Sequence, residues 1–187
     1  WVSDLLPEHV HEHFSYLVSS AEVGTEKDYA QKQAADRYLT RRHSKMSELT
    51  RGLLAGIDYE AVLKQRVKNT QFLQAALGKY NRLTPLIDRY LEERSESEAL
   101  YLYPFLPLAD LGDDFAYDLR QKLIQNKIYV PQLWQDTADE EIAGSLAYQL
   151  SAETSFLPVD QRYEEADMAE MTGRIMTIME DLHDGEA

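Results

Sequence analysis

The strongest constraint on the fold is a long amphipathic pattern that begins about a third of the way along the chain. Residues that suit one buried face recur at three- and four-residue steps: Tyr59, Val62, Leu63, Val67, Thr70, Leu73, Leu77 and Tyr80. This spacing predicts a helix of about six turns with one apolar stripe. Asp58 precedes the stripe and is a natural N-cap. Because such a helix is long enough to join two bodies rigidly, we expect the chain to be organised around it.

The residues before this helix are predicted to form a helical lead-in over 1–57. Apolar spacing predicts a one-sided helix from Pro7 to about Val23, followed by a strongly polar stretch up to Lys45. A short helix should then follow Ser47 and stop at Gly56. Its inward-facing residues are predicted to be Leu49, Leu53 and Leu54.

The second half of the sequence changes its period. After a connecting helix and linker over 58–98, residues 99–187 alternate strand-like runs with helical patterns. The predicted strands are Ala99–Leu108, Ile128–Trp134 and Ser155–Val159. The predicted helices lie at 113–126, after the capping pair Thr137 and Glu140, and along the stripe from Met168 to Leu182. We therefore expect an α+β fold, with a small antiparallel or mixed sheet of about three strands covered on one side by helices.

Charge and cysteine content narrow the classes of partner. Acidic residues outnumber basic residues by 33 to 19, so the formal net charge is −14. A negative field of this size repels phosphate backbones and anionic lipid headgroups, so we expect neither nucleic-acid nor membrane partners. The absence of cysteine excludes disulfides and thiolate metal sites and is compatible with a reducing cytoplasm.

The amino terminus and the lengths of the apolar runs indicate where the protein is located in the cell. No apolar run approaches the ~18 residues that a membrane helix needs. The segment from Trp1 to Asp4 has neither the basic nor the apolar character of a signal peptide, and it lacks an initiator methionine. We therefore expect a cytoplasmic protein whose start is trimmed, with further chain upstream.

Four phrases follow one another in an order that is characteristic of one protein family. They are KMSELTRGLLAGID, DYEAVLKQRVKNTQFLQAAL, KIYVPQLW and LPVDQRYEEADM. Together they resemble the carboxy-terminal region of the DegT/DnrJ/StrS family of pyridoxal-phosphate aminotransferases, over roughly residues 45–182. In the helix that leads from the large to the small domain, the family's arginine, asparagine and spaced leucines match Arg66, Asn69, Leu73 and Leu77. The acidic stretch 92–98 departs from the family, and residues 1–44 match no part of it.

The resemblance implies that pyridoxal 5′-phosphate lies between domains and between the subunits of a homodimer. The cofactor would form a Schiff base with a lysine of the large domain, which lies upstream of the matched region. We therefore expect this chain to lack its amino-terminal large domain, to bind no cofactor alone and to carry no catalytic residue. The implied reaction moves an amino group from a donor such as glutamate to a nucleotide-linked keto-sugar. All eight lysines lie in polar or helix-end settings: Lys27, Lys32, Lys45, Lys64, Lys68, Lys79, Lys122 and Lys127.

Substrate-binding candidates follow from the same resemblance. Arg162 directly follows the third predicted strand, and its planar fork suits a substrate carboxylate. The alternative is a surface arginine paired with a nearby carboxylate. Gln161 and Asp160 share the position of Arg162. Tyr129 and Trp134 lie near the end of the second predicted strand, where an aromatic side chain either faces the cofactor cleft or packs in the core.

Two further alternatives stay open. His9, His11 and His13 form a cluster in which one helical turn separates the first from the last, but no third metal ligand is fixed, so no metal site is predicted. The rival to an aminotransferase fragment is a stand-alone, non-catalytic interaction module with the same small-domain fold. Such a module would bind a partner chain through its apolar faces.

Overall fold

The fold was analysed in a computed structural model, which describes residues 45–108, 115–131, 133 and 145–185. The chain divides into two compact units, 1–57 and 58–187. The predicted features at residues 1–44, including the first helix and the histidine cluster, lie outside the described residues, as do Trp134, Thr137 and Glu140.

In the first unit, the predicted short helix is present as α1, Glu48–Ala55. The Ser47 hydroxyl accepts a hydrogen bond from the Thr50 N–H at 3.1 Å, and Gly56 closes the helix. The prediction that Leu49 and Leu53 face inward is wrong, because each is about half exposed, at 51% and 54%. With Met46 and Ile57 they form an exposed apolar stripe along α1, the α1 stripe.

The second unit contains the predicted long helix and most of the other predicted elements. Its helices are α2 (Tyr59–Leu77), α3 (Thr84–Glu93), α4 (Phe115–Gln125), the short α5 (Leu146–Tyr148) and α6 (Glu165–Gly185), and its strands are β1 (Leu102–Phe105) and β2 (Ser155–Pro158). A 3₁₀ turn, Gly78–Tyr80, follows α2, and a π turn, Gln149–Glu153, follows α5. Asp58 caps α2 as predicted by accepting the Ala61 N–H at 3.0 Å. The helix α3 was not predicted.

The described sheet has two strands. β1 and β2 run antiparallel, with Tyr103 opposite Leu157 and Phe105 opposite Ser155. The α+β class therefore holds, but a third strand is not confirmed: residues 128–131 pair with no strand. Ile128 instead donates its N–H to the Leu123 carbonyl at 2.9 Å, which closes the end of α4. Its apolar side chain is still buried, so packing on the core explains the strand-like pattern.

One hydrophobic core joins the helices and both strands of the second unit. It includes Leu73 and Leu77 of α2, Tyr103 and Phe105 of β1, Phe115, Leu119 and Leu123 of α4, Leu157 of β2, and Met168 and Ile175 of α6. All these side chains are at most 2% exposed. The stripes predicted for α4 and α6 are thereby confirmed, because their buried positions recur at three- and four-residue steps. The stripe predicted for α2 is confirmed in its second half, at Thr70, Leu73 and Leu77, whereas Tyr59 at its start is 53% exposed.

Asn81 is a buried polar residue that ties the end of α2 to the end of β1. Its Oδ1 accepts the N–H groups of Leu83 and Leu106, both at 3.0 Å. Its Nδ2 donates to the Pro104 carbonyl at 2.9 Å and to the Tyr103 hydroxyl at 3.2 Å. The side-chain amide is fully paired, so its hydrogen bonds offset the cost of removing it from water at 3% exposure.

We expect Asn81→Ala to lower the free energy of unfolding by about 2–4 kcal/mol, because it leaves two backbone N–H groups and one carbonyl buried without partners. Urea unfolding followed by far-ultraviolet circular dichroism measures this change. The control is Asn126→Ala, which removes one exposed hydrogen bond to the Lys122 carbonyl and should cost less than about 0.5 kcal/mol. Equal costs for the two variants would contradict the proposed role of Asn81.

Lys127 adopts a left-handed backbone conformation, with φ 62°. It follows α4 at the position where helices usually place glycine, and its N–H donates to the Ile124 carbonyl at 3.0 Å. A side chain costs about 1–2 kcal/mol in this conformation, whereas glycine adopts it freely. The hydrogen bond that residue 127 makes at the end of α4 involves only its backbone. The fold therefore does not explain why this residue is a lysine.

We expect Lys127→Gly to raise the free energy of unfolding by about 0.5–1 kcal/mol, because strain relief exceeds the added entropy of the unfolded chain. Lys127→Ala is the matched control: it keeps the Cβ atom and should stay within about 0.5 kcal/mol of the parent. Thermal unfolding of the three proteins tests this, and equal stability of the Gly and Ala variants would show that residue 127 is not strained.

Candidate functional site

The loop that follows β2, Asp160–Tyr163, is held against α2 by a buried asparagine. Asn69 is 2% exposed, and its Nδ2 donates to the carbonyls of Asp160 at 2.9 Å and Tyr163 at 3.2 Å. Gln65 donates to the same Tyr163 carbonyl at 3.1 Å. We call Arg66, Asn69 and this loop the α2–loop junction. It joins residues that are more than 90 positions apart in the sequence.

Arg66 extends the junction to the chain that enters β1. Its Nε donates to the Gln161 side-chain oxygen and its Nη1 to the Tyr101 carbonyl, both at 3.0 Å. Its Nη2 lies 3.7 Å from the Asp160 carboxylate, and the guanidinium lies 5.5 Å from the centre of the Tyr101 ring. The planar guanidinium therefore contacts the loop and the β1 lead-in together, which a lysine could not do with one ammonium group.

Arg162 lies at the exposed side of the same loop. Its Nε and its backbone N–H both donate to the Asp160 carboxylate at 2.9 Å, and its side chain is 79% exposed. Its partner is thus Asp160, not the carboxylates of α6. Nη2 makes a longer contact with the second Asp160 oxygen at 3.3 Å. The outer edge of the guanidinium faces solvent and can bind a second anion.

Electrostatics favours the charged form of Asp160. Partial burial raises the pKa of this carboxyl group, but the hydrogen bonds from Arg162 and the charges of Arg162 and Arg66 outweigh burial, so the pKa lies below its usual value. The hydrogen bond and charge of Asp160 in turn raise the pKa of Arg162. The two groups remain an ion pair throughout the neutral range.

Tyr129 lies apart from the junction arginines. It lines an open groove of about 200 Å³ with Lys127, Pro158, Tyr163 and Met171, which we call the Lys127 groove. Neither Gln161 nor Arg162 lines it. The structure thus places the four substrate-binding candidates in different settings: Gln161 on Arg66, Arg162 on Asp160, Tyr129 in the groove, and Trp134 outside the described residues.

The sequence marked Arg66 and Asn69 only as family residues and did not single out Lys127 as a site residue. The asparagine could have been noticed from its spacing, because it lies on the same face of α2 as the buried Leu73. A buried asparagine on an apolar stripe predicts a specific set of hydrogen bonds. The signal for Lys127 is the helix end after Gln125, which has no glycine.

The described residues do not fit a Schiff-base cofactor site. All the lysines in the described ranges are exposed, whereas a cofactor lysine is enclosed with its ring and phosphate ligands. No catalytic step through pyridoxal phosphate is therefore derived from them. Within the same ranges, no cluster of three or more histidine, aspartate or glutamate side chains is placed to hold a metal ion.

Comparisons with models of known protein families, with curated proteins and with solved structures gave no significant match. Among the described helices, none combines the length and the apolar character needed to cross a bilayer.

The lowered pKa of Asp160 predicts a pH-dependent contribution to stability. The carboxylate stabilises the fold above the pKa it has in the unfolded chain, ~3.9, and this contribution is lost as the pH falls through the lower folded pKa. Asp160→Asn should therefore melt at a lower temperature than the parent near pH 7, and the difference should shrink as the pH falls below ~3.9 and through the lower folded pKa. Thermal melts across this pH range measure it.

Glu96→Gln serves as the control, because it removes the same charge from an exposed residue outside the junction. Its melting temperature should stay close to that of the parent at every pH. A difference for Asp160→Asn that persists unchanged at low pH would show that the carboxylate charge is not what stabilises the loop.

Proposed function

We propose that this chain is the carboxy-terminal part, chiefly the small domain, of a pyridoxal-phosphate aminotransferase-like protein. The observation that supports the proposal most is the α2–loop junction. Arg66 and Asn69 come from the second of the four family-like phrases, and Asp160–Tyr163 come from the fourth. These residues form hydrogen bonds with one another. The two family-like phrases therefore supply residues that act together to hold the loop after β2 against α2.

The resemblance gives the proposal its chemistry. The parent protein would bind pyridoxal 5′-phosphate on a lysine of its amino-terminal large domain, and it would work as a homodimer in the cytoplasm. It would move an amino group from a donor such as glutamate to a nucleotide-linked keto-sugar. This chain would supply no catalytic residue; it would contribute one wall of the substrate cleft.

Arg162 is the best candidate for a substrate contact in that wall. The edge of its guanidinium that holds Asp160 fixes its direction, and the opposite edge faces solvent. A preoriented guanidinium loses less side-chain entropy when it binds a carboxylate. Gln161, Tyr129 and Trp134 remain weaker candidates, because Gln161 is engaged by Arg66 and Tyr129 lies in a separate groove.

The rival function is a non-catalytic interaction module. The α1 stripe favours it, because four apolar side chains in 46–57 are each at least 40% exposed. An uncovered apolar helix face is the usual mark of a surface that binds another protein surface. The α1 stripe is also consistent with the aminotransferase proposal, in which the amino-terminal large domain would cover it.

The native gene product distinguishes the two functions. For the aminotransferase, we expect a mass about twice the 21.6 kDa of this chain and an internal-aldimine absorbance band between about 300 and 500 nm that borohydride abolishes. Intact-mass spectrometry and an absorbance scan on one sample measure both. The 187-residue chain alone is the control and should show no such band. A native mass near 21.6 kDa without the band would overturn the proposal in favour of the module.

A further inference from the structure

The Lys127 groove lies between the end of α4 and the first three turns of α6. Lys127 and Tyr129 form one side, and Tyr163, Glu170 and Met171 form the other. Its volume of about 200 Å³ is below the ~300–1,000 Å³ of pockets for drug-sized ligands, so it suits a compound with about one ring.

The charges along the groove leave one cation available. Glu170 is paired with Arg174, and Asp167 accepts the Glu164 N–H at 2.8 Å as part of the start of α6. Lys127 is exposed, and within the described ranges no hydrogen bond or ion pair engages its ammonium group. Arg174 also lines the groove but is held by Glu170, and a backbone N–H does not neutralise Asp167. Lys127 is therefore the lining cation that no carboxylate of the described residues pairs, and it is the group that can attract an anion.

The backbone conformation of Lys127 indicates that this lysine serves a purpose other than ending α4. A glycine would close α4 without strain, yet the chain holds a lysine in the left-handed conformation there. Strained residues concentrate where the strain serves a site. The strained turn also fixes where the Lys127 side chain leaves the backbone, beside the groove that it lines.

The remaining walls suit an apolar body. Tyr129 is 59% exposed and Tyr163 is partly exposed, and both belong to the groove beside the half-buried Met171. Tyrosine rings give planar contact area at little cost in side-chain entropy, and a thioether adapts to irregular shapes. Within the described residues, neither the Tyr129 nor the Tyr163 hydroxyl has a hydrogen-bond partner, so both can donate to a ligand.

We propose that the Lys127 groove binds a small organic anion, in which a carboxylate or phosphate is attached to an aromatic or aliphatic body of about one ring. The Lys127 ammonium group holds the anionic oxygens, and Tyr129, Tyr163 and Met171 pack against the body. The groove shares Tyr163 with the α2–loop junction but includes none of Arg66, Gln161 and Arg162, and the proposal does not depend on the aminotransferase proposal.

The test is a titration of the ¹⁵N-labelled 187-residue chain with three single-ring probes, followed by amide chemical shifts. Phenyl phosphate and phenylacetate carry an anion, and 2-phenylethanol is the neutral control. We expect both anions to shift the amides of Lys127, Tyr129, Tyr163 and Met171. The tighter of the two anions identifies the preferred head group. The neutral alcohol should bind at least about fivefold more weakly.

Variants separate binding from folding. Lys127→Arg should keep the affinity for the anions, Lys127→Gln should weaken it about fivefold, and Lys64→Gln, an exposed lysine of α2 outside the groove, should leave it unchanged. Lys127→Gly should weaken anion binding at least as much as Lys127→Gln, while its melting temperature stays the same or rises, which excludes unfolding as the cause. Equal affinity for the alcohol and the anions, shifts confined to other residues, or no shifts at all would overturn the proposal.

Discussion

The hydrogen bonds of Arg66 and Asn69 are the constraint on which the second unit depends. They fix the loop after β2 against the middle of α2, and the same loop leads directly into α6. The positions of β2 and α6 relative to α2 therefore depend on these few bonds. Apolar packing alone would tolerate a shift of one element along another, because hydrophobic contacts have no direction. The buried amide of Asn69 does not tolerate such a shift, because the shift would leave its donor groups without hydrogen-bond partners.

Asn81 plays the corresponding role just beyond the carboxy-terminal end of α2. It binds the backbone at both ends of the chain segment that includes α3 and β1, from Leu83 to Leu106. A slip of β1 by one residue would turn Tyr103 and Phe105 away from the core and would break these bonds as well. Two buried asparagines, one in the middle of α2 and one just beyond its end, thus specify an arrangement that the surrounding leucines and aromatic residues stabilise.

The sequence predicted those elements whose periodicity comes from burial. The stripes of α2, α4 and α6 and the two strands were identified because their apolar residues face one core. The run at Ile128 was predicted to be a strand for the same reason: Ile128 and Val130 alternate into the core, but residues 128–131 pair with no strand and the Ile128 N–H closes α4. Periodicity records which side chains are buried, and it does not record which backbone groups pair.

The candidate sites were less predictable, because their geometry depends on backbone positions that no local pattern encodes. The sequence placed Gln161 and Arg162 together, whereas the structure turns one towards Arg66 and the other towards Asp160. Leu49 and Leu53 were expected to be buried because amphipathic spacing does not say whether a helix face has a partner. Which apolar face is covered is a property of the assembled protein.

The separation of the junction residues along the chain has a consequence for biosynthesis. Arg66 and Gln161 are 95 positions apart, and the core also needs α6, which comes last in the described chain. On the ribosome, α2 is complete long before its partners emerge, and its leucine-rich face stays open to solvent during that time. Loop closure over such a distance is slow, and exposed apolar faces favour aggregation. We therefore expect the core of this unit to close only once α6 is available to complete it.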